Sequence, residues 1–267
     1  MKTLKVVKIG GNIIDNDVEL ISFLKDFASL KGPKILVHGG GKSATKLANK
    51  MNIPVQMIDG RRVTDAETLE IVTMVYAGKI NKNIVAILQS FNCNSIGFSG
   101  ADGNTIIANK RPKLTIEYGF VGDVVNVNNS FFQLLLKGEL TPVCCAISHD
   151  QKGQLLNTNA DSIASALATS LAVDHHVDLY FCFDKPGVLV DEKNESSIIP
   201  LINEDIYKEL RKENVIHSGM IPKLDNAFEA LKQGVQRVWI GKAENLLMAV
   251  KGKKAGTIIE RQRYDLY

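Results

Sequence analysis

The chain has 267 residues, 45% hydrophobic and 23% charged, with 7 Pro against 21 Gly, proportions that exclude a disordered or collagen-like polymer and leave room for a core without staples. Its 32 basic and 29 acidic residues are interspersed and give a formal charge of only +3, so no long-range field draws it to nucleic acid or an anionic membrane, and any anion site is local. Cys93, Cys144, Cys145 and Cys182 form no C-x-x-C pair and no zinc-spaced cluster with histidine, which argues against a disulfide scaffold and a structural metal.

At the amino terminus a lysine recurs every third residue, at Lys2, Lys5 and Lys8, where a signal peptide needs an unbroken apolar stretch. No uninterrupted apolar run reaches the roughly 18 residues of a membrane span. A reduced, cytoplasmic protein is expected. Leu4 to Ile9 reads as a strand ending at Gly10-Gly11. Behind a cap at Asn16 or Asp17, the residues Leu20, Ile21, Leu24, Phe27 and Ala28 recur at helical spacing until Gly32-Pro33 stops them. A second unit opens with strand Lys34 to Val37, turns through His38-Gly39-Gly40-Gly41 and enters a helix ending near Met51.

After a loop carrying Gly60-Arg61-Arg62-Val63-Thr64, a long helix is predicted from Ala66 to Ser90. Leu69, Val72, Tyr76, Ile80, Ile84 and Leu88 share one face, and Gly78 is a candidate interruption. Ser95 to Phe98, Thr105 to Ala108 and Val121 to Val127 read as strands with hairpins between them. Phe131 to Lys137 reads as a helix, Leu140 to Ile147 as one buried strand, Gln154 to Asn157 as a short one and Ala160 to Ala172 as a small-residue helix. The last third repeats the alternation: strand Val177 to Phe183, helices Glu204 to Lys212 and Met220 to Gln233, strand Arg237 to Ile240, helix Ala243 to Val250 and a closing segment Thr257 to Glu260. Such alternation predicts an α/β fold, a three-layer αβα sandwich around a mainly parallel sheet. With no linker or repeat visible, residues 1–267 are expected to form one domain with two lobes.

Gly10-Gly11 and Gly39-Gly40-Gly41 each follow a strand and precede a helix, the position at which parallel sheets bind ligands. Only a bare backbone comes close enough to a phosphate for its N–H groups to donate. Either cluster alone is equally well explained as a tight turn; two at one sheet edge favour an anion site. Neither matches G-x-x-x-x-G-K-[ST] or G-x-G-x-x-G. Lys8, in an apolar strand just before the first glycine pair, is expensive there unless it meets an anion or reaches water.

Read in order, Lys8-Ile-Gly-Gly11, His38-Gly-Gly-Gly41, Gly60-Arg-Arg-Val-Thr64, Asn157-Thr-Asn-Ala-Asp161 and Gly219-Met-Ile-Pro-Lys223 make the chain resemble the amino acid kinase family over nearly its whole length. The closest match is the branch that acts on N-acetyl-L-glutamate. Aspartokinases open instead with K-F-G-G-T-S, and carbamate kinases lack the G-x-R-V-T element. The resemblance implies an acid-substrate lobe over about 1–175 and a nucleotide lobe over about 176–267. It implies ATP-dependent phosphorylation of the side-chain carboxylate of N-acetyl-L-glutamate in arginine biosynthesis, with Mg2+ held mainly by the nucleotide phosphates, in a cytoplasmic homodimer that binds neither nucleic acid nor membrane.

By the same resemblance Lys8 and Lys223 serve the transferring phosphoryl group and the leaving ADP, and Asp161 organises both lysines. Gly10, Gly11 and Asp184 belong to the phosphate and nucleotide end, and Gly40, Gly41, Arg62 and Asn157 to the acid. Each polar residue also has a plainer reading: Arg62 a surface loop arginine, Asn157 a turn former, Asp161 the cap of its helix, Lys223 a solvated lysine, Asp184 a turn aspartate. His38 is expected to orient the glycine loop, Trp239 to be core, His175-His176 to be surface, and Lys251, Lys253 and Lys254 to lie in a solvated loop.

Three departures from the family pattern stand out: Arg61 where an apolar residue is usual, Ser218 where a second glycine is usual, and Asp184-Lys-Pro-Gly187 in place of D-V-x-G. A second cation beside Arg62 suits an additional carboxylate, so N-succinylglutamate is an alternative substrate; otherwise Arg61 points to solvent. A non-catalytic amino-acid-sensing module of the same fold and a dinucleotide oxidoreductase are the competing classes. Retention of Lys8, Asp161 and Lys223 argues against the first, and the missing G-x-G-x-x-G against the second. The short amino terminus leads to the expectation of an arginine-insensitive dimer, because in the family arginine inhibition accompanies an extra amino-terminal helix.

Overall fold

A computed structural model describes residues 3–58, 61–113, 115–213, 215–216 and 220–261; Gly60, Ser218 and Gly219 of the motifs above lie outside them. In chain order the elements are β1 (Leu4–Ile9), α1 (Gly11–Ile14), α2 (Asp17–Ser29), β2 (Lys34–His38), α3 (Gly41–Lys50), β3 (Met57–Ile58), β4 (Arg61–Arg62) and α4 (Ala66–Thr73). A π-helical segment (Met74–Ile80) leads into α5 (Asn81–Ser90), followed by β5 (Ser95–Phe98), β6 (Ile106–Lys110), β7 (Val121–Val127), α6 (Asn129–Lys137), β8 (Thr141–Cys145), β9 (Ile147–His149) and β10 (Leu155–Thr158). The rest are α7 (Ala160–Leu171), β11 (Val177–Phe183), β12 (Leu201–Ile202), α8 (Glu204–Lys212), α9 (Ile221–Lys232), β13 (Arg237–Lys242), α10 (Leu246–Val250) and β14 (Thr257–Ile259).

Eight strands form the central sheet in the order β12-β14-β13-β11-β1-β2-β8-β5. From β13 to β5 every pairing is parallel, and β14 runs antiparallel to β13. Parallel strands covered on both faces read as continuous apolar runs, and all five residues of β2 and of β8 are buried. The expected parallel sheet is therefore present. What the alternation does not announce is a second body: β10, β7, β6 and β9 close into a four-stranded barrel. The run Leu140 to Ile147 accordingly divides at Ala146, where the chain leaves the main sheet as β8 and enters the barrel as β9. Both halves are buried, so hydrophobicity is unbroken across the switch. Likewise β5 pairs with β8 in the main sheet, and only β6 and β7 form the expected antiparallel pair.

Local rules account for most boundaries. Asn16 caps α2 by accepting from the N–H groups of Val18 and Glu19. The buried stripe of α2 is Leu20, Phe23, Leu24 and Phe27, the i, i+3, i+4, i+7 face. Ile21, about 100° off that stripe by helix geometry, is 46% exposed. The stretch Ala66–Ser90 is one continuous helical run. Among the described residues it alone is long and apolar enough to cross a membrane by length and composition, and its apolar face is buried inside the protein. Tyr76, Ile80, Ile84 and Leu88 are all buried although each step of four overshoots a 3.6-residue turn by about 40°. The π segment underwinds the chain at that point and keeps the face in line.

Candidate functional site

β1 lies between β2 on one side and β11 on the other. The connections that leave it therefore diverge, and a crevice opens above its carboxyl end. Gly10-Gly11 after β1 and Gly39-Gly40 after β2 rim this crevice. Gly11 and Gly41 head α1 and α3, where the first N–H groups of a helix have no partner within it. The two turns use glycine differently. Gly10 has φ −78° and donates its N–H to the Cys182 carbonyl at 3.0 Å; a Cβ there would meet only ordinary contacts. Gly40 has φ +153°, a conformation L side chains rarely adopt, and a Cβ there would run into the Ile80 Cδ1 end, so glycine is strongly favoured.

His38 sits fully buried beneath the second turn. Its Nδ1 lies 2.9 Å from the Gly39 carbonyl, and its Nε2 lies 3.0 Å from Asn81 Nδ2. Because that amide also donates to the Val143 carbonyl at 3.0 Å, the network assigns the proton to Nδ1. Burial pulls the imidazole down to about 4, against the Gly39 hydrogen bond and with help from the Lys82 charge. The ring is neutral and pins the glycine turn, as the sequence suggested.

Lys8, in register with Val37 of β2 and Phe181 of β11, reaches Asp161 Oδ1 at 2.7 Å. Asp161 does not cap its own helix. Asn159 does, accepting from the N–H groups of Asp161 and Ser162, which leaves the Asp161 carboxylate for the lysines. Burial pushes that carboxyl up, but Lys8 and Lys223 outweigh it and hold it below the ordinary range. Lys223, in the first turn of α9, stands 4.7 Å above the Phe183 ring. Burial lowers its ammonium, Asp161 and Asp184 counteract, and Lys8 adds to the lowering. One carboxylate thus sits electrostatically between two cations that would otherwise repel. Asp184, just past β11, accepts from Asn12 Nδ2 at 2.9 Å, and Asn12 Oδ1 accepts in turn from Lys42. This chain ties the end of β11 to both glycine turns. Neither Asn12 nor Lys42 was singled out from sequence, although each directly follows a predicted glycine cluster.

Arg62 is 8% exposed, not a surface loop arginine: it lies on β4 and donates from Nη2 to Thr45 Oγ1 at 2.8 Å. Beside it the Tyr76 phenol is pushed up by burial and partly drawn back by the guanidinium. Asn157 belongs to β10 rather than to a turn, and donates to Thr64 Oγ1 at 3.0 Å; that hydroxyl donates to the Arg62 carbonyl at 3.1 Å. The two residues assigned to the acid are therefore linked through one threonine. With Lys8, Gly11 and Gly40 they line a cleft of about 220 Å³, to which Arg61 and Arg111 also contribute. Arg61 is otherwise exposed, and Arg111 was missed. A second hollow, of about 340 Å³, opens beside Asp184 and is lined by Asn12, Phe183 and Lys242. Larger hollows, one beside α3 and the π segment and one at the opposite sheet edge, contain none of the predicted site residues.

Thiol chemistry has no place here. All four cysteines are buried, and burial pushes Cys145 up to about 12 and Cys144 and Cys182 well above the usual thiol range. What the arrangement offers is cationic and N–H stabilisation of oxyanions at one end, and a forked cation for a carboxylate at the other.

The family model described as "Amino acid kinase family" matches residues 3–242. The chain is 54% identical over 259 residues to the acetylglutamate kinase of Cytophaga hutchinsonii, covering 96% of this chain and 98% of that one. It is 47% identical over 246 residues to the acetylglutamate kinase of Parabacteroides distasonis, covering 92% and 96%. Among solved structures, smu.665 from Streptococcus mutans UA159 superposes with a TM-score of 0.77 at 28% identity, over 97% of this chain and 99% of that one. The carbamate kinase from Giardia lamblia bound to AMP-PNP superposes with a TM-score of 0.71 at 15% identity, over 97% and 99%, a likeness of fold alone.

Proposed function

The chain belongs to the amino acid kinase family, and from that premise we propose that it transfers the γ-phosphoryl group of ATP to the side-chain carboxylate of N-acetyl-L-glutamate, the acyl-phosphate-forming step of arginine biosynthesis. The observation that carries this reading is Asp161 paired with Lys8 and held down by the charges of Lys8 and Lys223, with Lys8 lining the same cleft as Arg62. A carboxylate nucleophile is already ionised at neutral pH and needs no general base. The obstacle is the approach of one anion to another, which cations, N–H donors and in-line positioning relieve.

In this reading Lys8 and the N–H groups of Gly11 and Gly40 receive the oxygens of the transferring group, and Lys223 neutralises charge growing on ADP. Asp161 holds the two ammonium groups apart and in place. Gly10 leaves room for the phosphate, and Asp184 fixes the nucleotide end. Arg62 grips the α-carboxylate in a fork, and Asn157 and the Gly41 N–H complete the acid site. Among the described residues no three His, Cys, Asp or Glu side chains cluster to cage a metal, and the lysine-rich centre suits a Mg2+ carried on the phosphates, where it supplies charge neutralisation. Residues 1–175 are read as the acid lobe and 176–267 as the nucleotide lobe of a cytoplasmic enzyme. The homodimer rests on the family resemblance and is tested by molar mass in solution. Hydroxylamine trapping tests the chemistry: the hydroxamate of N-acetylglutamate forms with ATP, and its absence alongside intact folding would overturn the assignment.

A further inference from the structure

One side-chain contact already bridges the two glycine turns. Lys42, the first residue after Gly39-Gly40-Gly41, donates from Nζ to Asn12 Oδ1, and Asn12, the first residue after Gly10-Gly11, donates from Nδ2 to Asp184 Oδ2 at 2.9 Å. A carboxamide suits this position because it presents an acceptor to the ammonium and a donor to the carboxylate at once. The two neighbours thereby fix which way the amide points.

In the phosphotransfer reading, on which the following rests, the charged groups around this crevice alternate in sign. Lys8 pairs with Asp161, and Asp161 and Asp184 both favour the charged form of Lys223 against its burial. Each of those two lysines therefore has a carboxylate that neutralises part of its charge. Lys42 has none: among the described residues it forms no ion pair and meets only the neutral oxygen of Asn12. It also stands in the first turn of α3, where the unpartnered N–H groups of the helix oppose a cation. Lys42, Asn12 and Asp184 are all exposed, so the contacts between them are made in water and give way readily to a stronger partner. The ammonium starts from one of the turns whose N–H groups receive the transferring oxygens and is held beside the residue that follows the other. A phosphoryl group set between those turns is the anion within its reach.

We propose that Lys42 is a third lysine of the phosphotransfer site, held ready by Asn12 and reaching the γ-phosphoryl oxygens of bound ATP, with Asn12 as its positioning residue. Lys42 then acts on charge that ATP carries and ADP does not.

The test follows from that difference. Titration calorimetry of the intact chain with Mg2+ compares the affinities for AMP-PNP, a non-hydrolysable ATP analogue, and for ADP. A charge-assisted contact predicts that Lys42→Met lowers the AMP-PNP-to-ADP affinity ratio about fivefold or more while ADP affinity changes less than about twofold, and that kcat with N-acetylglutamate falls about tenfold or more. Lys42→Arg, which retains the cation, stays close to the parent ratio. Asn12→Leu, of similar size but unable to hold either neighbour, lowers the ratio about twofold or more. Because the ratio is internal to each preparation, partial misfolding does not move it. A ratio unmoved in Lys42→Met or in Asn12→Leu, or an equal loss for both nucleotides, overturns the proposal. Failure of the parent chain to form ADP with N-acetylglutamate instead removes the phosphotransfer reading beneath it.

Discussion

At the scale of single residues, charge placement governs the expected behaviour. Lys8→Ala and Lys223→Ala each remove a cation that the proposed transition state needs more than the ground state does. Turnover is expected to fall about 100-fold or more with a small change in KM; unaltered steady-state kinetics in both variants would contradict the roles given to them. Arg62→Ala acts on binding, raising KM for the acid about tenfold or more, with a residual kcat that initial rates at saturating acid reveal. His38 provides a pH signature. Its buried imidazole has a value of about 4 against 6.5 for an exposed histidine, so the unfolded chain takes up the proton first. The associated stability is complete above pH 6.5 and is lost as pH falls towards 4, by about 3 kcal/mol at most. Urea unfolding across that range should show the slope in the parent protein and a flatter one in His38→Gln; parallel curves would mean that the ring is already charged or solvated.

At the scale of elements, the π segment and the two-residue hairpin β3–β4 do what longer regular structures cannot. The π segment realigns the apolar face of a 25-residue helical run and places Tyr76 beside Arg62 and Ile80 over Gly40. One underwound turn thereby touches both the acid end and the glycine turn. Gly78, within that segment, meets nothing within 4 Å of a built Cβ, so it packs against nothing and only loosens the helix. Gly78→Ala is therefore expected to stabilise the protein by about 0.5–1 kcal/mol, seen as a raised Tm with kcat unchanged. A lowered Tm would show that the residue serves a contact outside this chain.

At the scale of the whole molecule, one sheet joins the two expected lobes. β1 and β2 come from the first, β11 and β13 from the second, and they are hydrogen-bonded neighbours. Within the first lobe Lys8 pairs with Asp161 on α7, and α7 packs not only on β1 but also on β11 and α9 of the second. The core is likewise continuous, running from Leu4 to Ile259. Scanning calorimetry is expected to give one unfolding transition, which a non-hydrolysable ATP analogue raises by mass action, about 2.7 kcal/mol at 100 times its Kd. Two separable transitions, with only one moved by nucleotide, would mean that the lobes fold independently.

Much of this was legible in the chain itself. The strand from Leu4 to Ile9, the helix cap at Asn16, the glycine turns and the buried face from Leu69 to Leu88 are set by neighbours in sequence, through periodicity, capping and backbone freedom. The motifs likewise pointed to Lys8, Arg62 and Asn157, which line one cleft, and to Asp161 and Lys223, which interact with Lys8 beside it. What local pattern cannot express is which sheet a buried strand joins. The division of Leu140 to Ile147 between sheet and barrel was invisible because both sides of Ala146 are equally apolar. Arg111 was invisible for a related reason: on the chain it is one basic residue beside Lys110 near a loop, and only closure of the barrel brings it, braced by Asp123, to a cleft whose lining is drawn from as far apart as Lys8 and Ala160. Sequence by itself determined the elements and the chemical groups. Tertiary structure decided which groups share a low-dielectric space, and there an unpaired charge costs most and a ligand's charge matters most.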